Sequence, residues 1–273
     1  MELRDSIGIV TGASRGLGAQ IADGLARKGV SLALAARSKD DLEHVAERVR
    51  SQGVQVVSIP TDVSNRGELQ ELVARTREEL GPIDLVVNNA GMEIGGYSHE
   101  LDPDRIDSAV QVNLTSLIQL SRLVLPEMVE RKRGHICNIA SVAGKVARPY
   151  STVYAATKHG VIGFSWSLRA EMAEHNVEVT AVCPGYVSDV GMFADRREKL
   201  GFGKAPNALK EVTPEEVVAA TIEAIETNRA ETIVGPVALR LADIVHAISP
   251  DLAMNIARKS GSYRFVKKEA TGD

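Results

Sequence analysis

The sequence predicts a single doubly wound α/β domain over residues 1–273, with a seven-stranded, mostly parallel sheet and helices on both faces. Three observations carry this. Short apolar runs of four to six residues recur between longer amphipathic stretches. None of these runs alternates apolar with polar residues, which is the pattern of strands covered on both faces. No linker, change of composition or repeat of 20–50 residues divides the chain. Strands that alternate with helices build right-handed βαβ units, and such units stack into a parallel sheet.

The first strand, IGIV (7–10), runs into TGASRGLG (11–18) and then an amphipathic stretch at 18–28. In that turn Gly12 permits a sharp bend, Gly16 lets backbone approach a pyrophosphate, and Gly18 lets helix and strand pack closely. Ser14, Arg15 and Leu17 lie within the same turn. The start of the helix supplies free N–H groups and the positive end of its dipole, as in a Rossmann-type dinucleotide site. A bare glycine triplet also fits an ordinary turn, but its position after the first strand favours the cofactor reading.

The second strand, SLALAA (31–36), ends at Ala36 and is followed by Arg37. An acid there would bond the ribose 2′-hydroxyl of NAD. Arg37, with Arg15 and Ser14, suits a 2′-phosphate instead, by charge-assisted bonds. The cofactor expected is therefore NADP(H), against the alternative of two solvated surface arginines.

A helix is expected at 41–51, then a strand, VQVVSI (54–59), and a helix at 66–80. The remaining strands are LVVNNA (85–90), HICNIA (135–140), VEVTAV (177–182) and TIVG (232–235). Helical patterns fill 104–132, 152–175 and 213–228. In TPEE, Thr213 is the N-cap, Pro214 the first helical residue, and Glu216 completes a capping box. Residues 186–212 break the alternation and read as a loop-like substrate lid.

These residues in this order resemble the short-chain dehydrogenase/reductase family over nearly the whole chain. TGASRGLG has that family's G-x-x-x-G-x-G spacing, NNAG (88–91) follows the fourth strand, and Asn113 sits in VNLTS. Ser141 in NIASVAG lies thirteen residues before Tyr154 in YAATK, whose last residue is Lys158. Pro184 and Gly185 close the sixth strand.

The resemblance implies a catalytic set of Asn113, Ser141, Tyr154 and Lys158. Tyr154 and Lys158 fall on one helix face. A free phenol is a poor acid or base at neutral pH, and a nearby ammonium favours its phenolate. Tyr154 would then exchange a proton with the substrate oxygen while Ser141 hydrogen-bonds it. Lys158 would also hold the nicotinamide ribose, and Asn113 would keep a water in a relay to Lys158. As plain structure, the pair is an exposed helical couple, Ser141 a turn residue and Asn113 a local helix bonder.

The implied cofactor contacts continue at Asp62 and Val63 by the adenine, Asn89, Ala90 and Gly91 near the ribose, Val112, and Pro184, Gly185 and Val187. Asn89 also suits a role joining neighbouring strands, and Asp62 a role at the entry of the next helix. In PGYVSDVGM, Asp189 stands where the family has a threonine that binds the carboxamide, leaving more of that anchoring to Val187.

Substrate contacts are expected from Ser141, Tyr154, Val142, Tyr186, Met192 and Phe193. The apolar segments after NNAG, after Ser141 and in the lid suggest a hydrophobic, lipid- or steroid-like ketone or alcohol, although lid packing explains them nearly as well.

Residues 237–273 replace the family's usual glycine-rich ending with a helical extension. Its apolar residues Leu241, Ile244, Val245, Ile248, Leu252 and Ile256 recur at helical spacing. It caps the cleft or an interface, or lies on a membrane surface with Arg258, Lys259, Lys267 and Lys268 at the lipid heads.

The balance of 32 Lys and Arg against 36 Asp and Glu gives a formal charge of −4, with no basic face for nucleic acid. Cys137 and Cys183, both in apolar strands, read as buried thiols. The histidines lack ligand spacing, so no metal is expected. No run approaches the ~20 apolar residues of a membrane span, and the amino terminus lacks a signal-peptide pattern, so a cytoplasmic location is expected.

The function expected is an NADP(H)-dependent oxidoreductase, a carbonyl reductase or alcohol dehydrogenase, and the family resemblance implies a homodimer or homotetramer built across 104–132 and 152–175. A non-catalytic NADP(H)-binding sensor is the alternative. A nucleotide-sugar epimerase of the extended relatives shares YxxxK but is disfavoured by glycine spacing and length.

Overall fold

Successive strand residues alternate between two separate apolar layers, and this places the sheet in the middle of the molecule. The computed structural model describes residues 1–205 and 209–272. Its seven strands are β1 (Ile7–Thr11), β2 (Ser31–Ala36), β3 (Val56–Pro60), β4 (Leu85–Asn88), β5 (Gly134–Ile139), β6 (Val177–Pro184) and β7 (Glu231–Val234). They lie in the order β3-β2-β1-β4-β5-β6-β7, and every pair is parallel. Val10, Leu32, Leu34 and Leu85 join one buried layer, while Ile9, Ala33, Ala35 and Val86 join the other. That two-sided burial explains the unbroken apolar runs.

Three helices cover the first face: α1 (Gly16–Arg27), α2 (Lys39–Arg50) and, later in the chain, α8 (Pro214–Glu226). The other face is covered by α3 (Arg66–Glu79), α5 (Ser116–Arg131) and α6 (Thr152–Met172). The Thr213 capping box is formed: its hydroxyl accepts from Glu216 N, and Glu216 accepts from Thr213 N.

The single helix expected over 104–132 is instead two, α4 (Pro103–Val110) and α5, joined by a wide turn at Gln111–Thr115 where Ser116 N reaches back to Gln111 O. Ser116 Oγ bonds the Val112 carbonyl at 2.7 Å within this turn. Wide turns of this kind bulge a helix without any Gly or Pro. The strand expected at 54–59 starts two residues later, at Val56, although Gln55 O already accepts from Leu32 N.

The segment 186–212, expected to be loop-like, carries a ten-residue helix, α7 (Gly191–Leu200). Gly201 ends it in the left-handed region at φ +65, with Arg197 and Lys199 in its last turn. Phe193 buries against Tyr186 and Phe202, and that contact anchors a helix whose sequence is otherwise polar. Residues 206–208 of this segment, and residue 273 of the extension, lie outside the described residues. The extension forms α9 (Val237–Ile248), α10 (Pro250–Lys259) and α11 (Ser262–Thr271). None of the described helices is long and apolar enough to cross a membrane.

Candidate active site

The strand order reverses at β1 and β4, and the carboxyl ends of the strands open there into a cleft of about 810 Å³. Ligands of doubly wound sheets bind at such a switch point. Every residue named above for the dinucleotide lines this cleft, from Gly12 through Arg37 and Asp62 to Val187.

The glycine turn is shaped as its spacing implies. Gly12 and Gly16 take φ +65 and +59. A Cβ at Gly12 would stand 2.9 Å from Ala90 Cα, and one at Gly18 would overlap the Gly12 carbonyl oxygen. Gly16 is different, because its nearest neighbour is Gly191 at the start of α7, at 3.4 Å, leaving the cradle open above it. α1 begins with no side-chain cap and no acid in its first turn, so its N–H groups are free to receive phosphate. The turn therefore fits a dinucleotide. Gly18→Ala should lower stability by about 1–3 kcal/mol through overpacking and weaken NADPH at least tenfold, as read by nucleotide fluorescence titration.

Thr11, the first residue of TGASRGLG, braces this turn: its hydroxyl accepts from Asn89 N at 3.1 Å and Ala90 N at 3.0 Å. Asn89 Nδ2 donates to Thr11 O and Gly12 O, which is the strand-joining role. Beneath it, Asn88 donates to Asn138, and Asn138 to Ser165 on α6. Asp62 is occupied by the Ser64 N–H and hydroxyl, which hold its carboxylate below the usual range; the Arg37 charge adds to this. Asn65 caps α3 instead.

Arg37 is exposed and makes no hydrogen bond or ion pair among the described residues, so its guanidinium is open to a ligand. Arg15, by contrast, pairs with Asp195 of α7 at 2.6 Å. It pins α7 over the phosphate turn as well as facing the cleft.

Tyr154 and Lys158 lie on one face of α6, and both are buried. Lys158 Nζ sits 5.7 Å from the Tyr154 ring centroid and donates to Ile139 O at 2.8 Å. Burial pulls its ammonium down to about 8. Burial also pushes the Tyr154 phenol up, as does the Glu93 charge; the Arg148 charge and a hydrogen bond with Ser141 pull it back. Arg148 and Ser141 oppose the rise, and on balance the phenol stays above its ordinary value, contrary to the lowering expected. Ser141 Oγ also accepts from Ala143 N at 3.1 Å, which holds it at the mouth of β5.

Two residues expected at the site do not line the cleft. Asn113 is fully buried and does not line the cleft: its side chain clamps Met92, donating to Met92 O at 2.8 Å and accepting from Met92 N at 2.7 Å. Its amide nitrogen also donates to Thr157 Oγ1 at 3.2 Å. Val142 is turned inward within a short 3₁₀ turn and is absent from the cleft wall. Asp189 takes φ +63, a region that Asp tolerates and a β-branched threonine does not. Tyr186, Met192 and Phe193 do line the cleft.

Sequence reading missed the charged wall of the same cleft, Glu93 and Arg148, and their partners Arg196 and Glu269. Cys137 and Cys183 are buried free thiols, and burial pushes Cys137 up to about 12. Among the described residues no cluster of His, Cys, Asp and Glu could hold a metal.

A family model described as short chain dehydrogenase matches residues 6–201. A ketoacyl reductase, HetN, of Nostoc sp. (strain PCC 7120) is 38% identical over 267 residues, covering 96% of this chain and 91% of that protein. An uncharacterized oxidoreductase of Staphylococcus saprophyticus is 35% identical, covering 87% of this chain and 100% of its own. Among solved structures, a variant of actinorhodin polyketide ketoreductase with NADPH has a TM-score of 0.75 at 31% identity, covering 84% of this chain and 95% of that one. A putative gluconate dehydrogenase from Agrobacterium tumefaciens has a TM-score of 0.80 at 26% identity, covering 87% and 97%.

Proposed function

The chain belongs to the short chain dehydrogenase family, and from that premise we propose that it is an NADP(H)-dependent carbonyl reductase. The observation that carries this is the meeting of Ser141, Tyr154 and Lys158 in one cleft with an open glycine turn. The names of the ketoacyl reductase relative and of the NADPH-bound ketoreductase support it.

When bound, NADPH supplies the hydride. The residues of the chain do the rest. A ketone oxygen between Ser141 and Tyr154 accepts a hydrogen bond from each. The Tyr154 hydroxyl passes its proton to that oxygen as charge develops, and Lys158 with Arg148 keeps the neighbourhood positive enough to stabilise the phenolate left behind. Gly12, Gly16 and the start of α1 hold the pyrophosphate, and Arg37 holds the 2′-phosphate. Asn113 acts by fixing the Met92 backbone at the mouth of the cleft.

The apolar wall of Tyr186, Met192 and Phe193 supports a substrate with a hydrophobic portion. Exposed Val110, Ile118 and Trp166 on the helices at 103–131 and 152–172 support a homo-oligomer packed through that face.

NADPH and NADH oxidation against a panel of ketones tests this function. Arg37→Ala should raise the KM for NADPH about 10–100-fold, since a charge-assisted phosphate contact is lost, and leave that for NADH within about threefold. Equal loss with both nucleotides would remove the 2′-phosphate assignment.

A further inference from the structure

The nucleotide end of the cleft sets two arginines against one carboxylate. Arg15 immediately precedes α1, inside the phosphate turn, and Arg37 follows β2. Both line the cleft and both are exposed. Arg15 Nη1 donates to Asp195 Oδ2 of α7 at 2.6 Å, the one bond of that side chain among the described residues. The acids of the cleft wall itself are engaged locally. Ser38 Oγ donates to Asp41, the Ser64 N–H and hydroxyl donate to Asp62, and Glu93 pairs with Arg148 and Arg196. Asp195, from outside the wall, is the acid that engages an arginine of the phosphate turn.

As a brace for α7 this pair is weak. Its side chains are 69% and 48% exposed, and exposed ion pairs add little to stability. The next two residues hold the helix more firmly. Arg196 pairs with Glu93 and Glu269, and Arg197 reaches both oxygens of Glu211 at 3.0 Å, all of these side chains being mostly buried. Phe193 adds its packing against Tyr186 and Phe202. With α7 held by these contacts, the consequence of the Asp195 carboxylate falls on whatever else Arg15 binds.

A phosphate is a stronger partner for a guanidinium than a carboxylate, because it carries more charge and matches the same fork. To take it, Arg15 must give up or share its bond to Asp195, and the carboxylate repels the arriving anion. We propose that Asp195 is a specificity-determining residue for the cofactor: it competes with the 2′-phosphate for Arg15 and so restrains the preference for NADP(H) over NAD(H). NAD(H) lacks that phosphate and leaves the pair intact, so Asp195 weighs on one nucleotide and not on the other. Arg37, with no protein partner, is the uncontested half of the phosphate site. This rests on the dinucleotide reading above.

The test is calorimetric titration of NADP⁺ and of NAD⁺, without substrate, into wild type, Asp195→Asn, Arg15→Met and the double variant. At about 0.02 M salt, where surface charges are weakly screened, Asp195→Asn should tighten NADP⁺ about fivefold and leave NAD⁺ within about twofold. At about 0.5 M salt most of that gain should disappear. Arg15→Met should weaken NADP⁺, and in that background Asp195→Asn should bring no gain. Glu174→Gln removes the same charge from an exposed site just before β6, at the opposite end of the strands from the cleft, and should change neither affinity.

An equal gain for both nucleotides would mean that Arg15 serves their shared pyrophosphate, and would overturn the assignment. No gain for NADP⁺, or a gain that survives Arg15→Met, would also overturn it. Wild type that binds neither nucleotide would instead overturn the dinucleotide reading, and this inference with it.

Discussion

Tyr154→Phe is expected to lower kcat by about 10²–10⁴-fold, the range that a positioned general acid contributes, while NADPH affinity stays within about threefold. Phenylalanine keeps the buried ring of a residue only 7% exposed, so the substitution removes one hydroxyl and creates no cavity. The Ser141 hydrogen bond loses its partner, which affects the same oxygen site and nothing in the nucleotide cradle. Stopped-flow turnover with a reducible ketone and a fluorescence titration with NADPH separate the two effects. A variant that keeps a tenth or more of wild-type kcat would show that the proton comes from elsewhere.

Lys158→Met is expected to do something less usual, stabilising the protein while disabling it. Burial lowers Lys158 from 10.5 to about 8. The folded state thus holds its proton less tightly than the unfolded chain does. Between pH 8 and 10.5 the unfolded chain binds more protons, so the penalty is full below 8 and fades as pH rises towards 10.5. At 1.36 kcal/mol per pKa unit the buried ammonium opposes folding by about 3 kcal/mol at neutral pH. Methionine removes that opposition but also the bond to the Ile139 carbonyl, worth about 1 kcal/mol. The net gain should be about 2 kcal/mol at pH 7 and should shrink by pH 10, as read by urea unfolding at both values. Turnover should fall at least about 10²-fold, since the phenolate left at Tyr154 loses its neighbouring cation. A variant that is both inactive and less stable at pH 7 would refute this view of Lys158. Such opposition between stability and activity is common at active sites.

How much of this was legible in the sequence depended on whether the signal was local. SLALAA is buried on both faces, and β2 has the expected ends because the run is bounded by Gly29 and Arg37. The cradle at 11–18 was legible for the same reason: Gly12 and Gly18 are required by contacts within the turn and with Asn89 and Ala90 beside it, and Gly16 by its left-handed backbone. The break in 104–132 was not, because the wide turn at 111–115 contains neither Gly nor Pro, and the Asn113–Met92 bonds found at it join residues 21 apart in the chain. The helix α7 was hidden by the glycines at its two ends and by a polar face, while Phe193 buries against aromatic partners that the sequence pattern does not mark.

The charged wall was the least accessible feature. Glu93, Arg148, Arg196 and Glu269 run from position 93 to position 269 of the chain and have no shared spacing. Glu269 in particular sits beside Lys267 and Lys268 in a stretch that reads as a basic, solvated tail. In the folded chain it is the residue sealed at the cleft. A cluster assembled only by tertiary packing has no periodicity for a sequence pattern to detect.

The most direct test of the central claim is the fate of the hydride. The protein would be incubated with NADPH carrying deuterium at both C4 positions and a panel running from simple ketones to 3-oxo esters. Mass spectrometry of the products then looks for carbinols. The account predicts alcohols with one deuterium on the new carbinol carbon, formed by wild type and lost in Tyr154→Phe. Tight NADPH binding with no labelled alcohol from any member of the panel would contradict it, and would favour a dinucleotide-binding sensor.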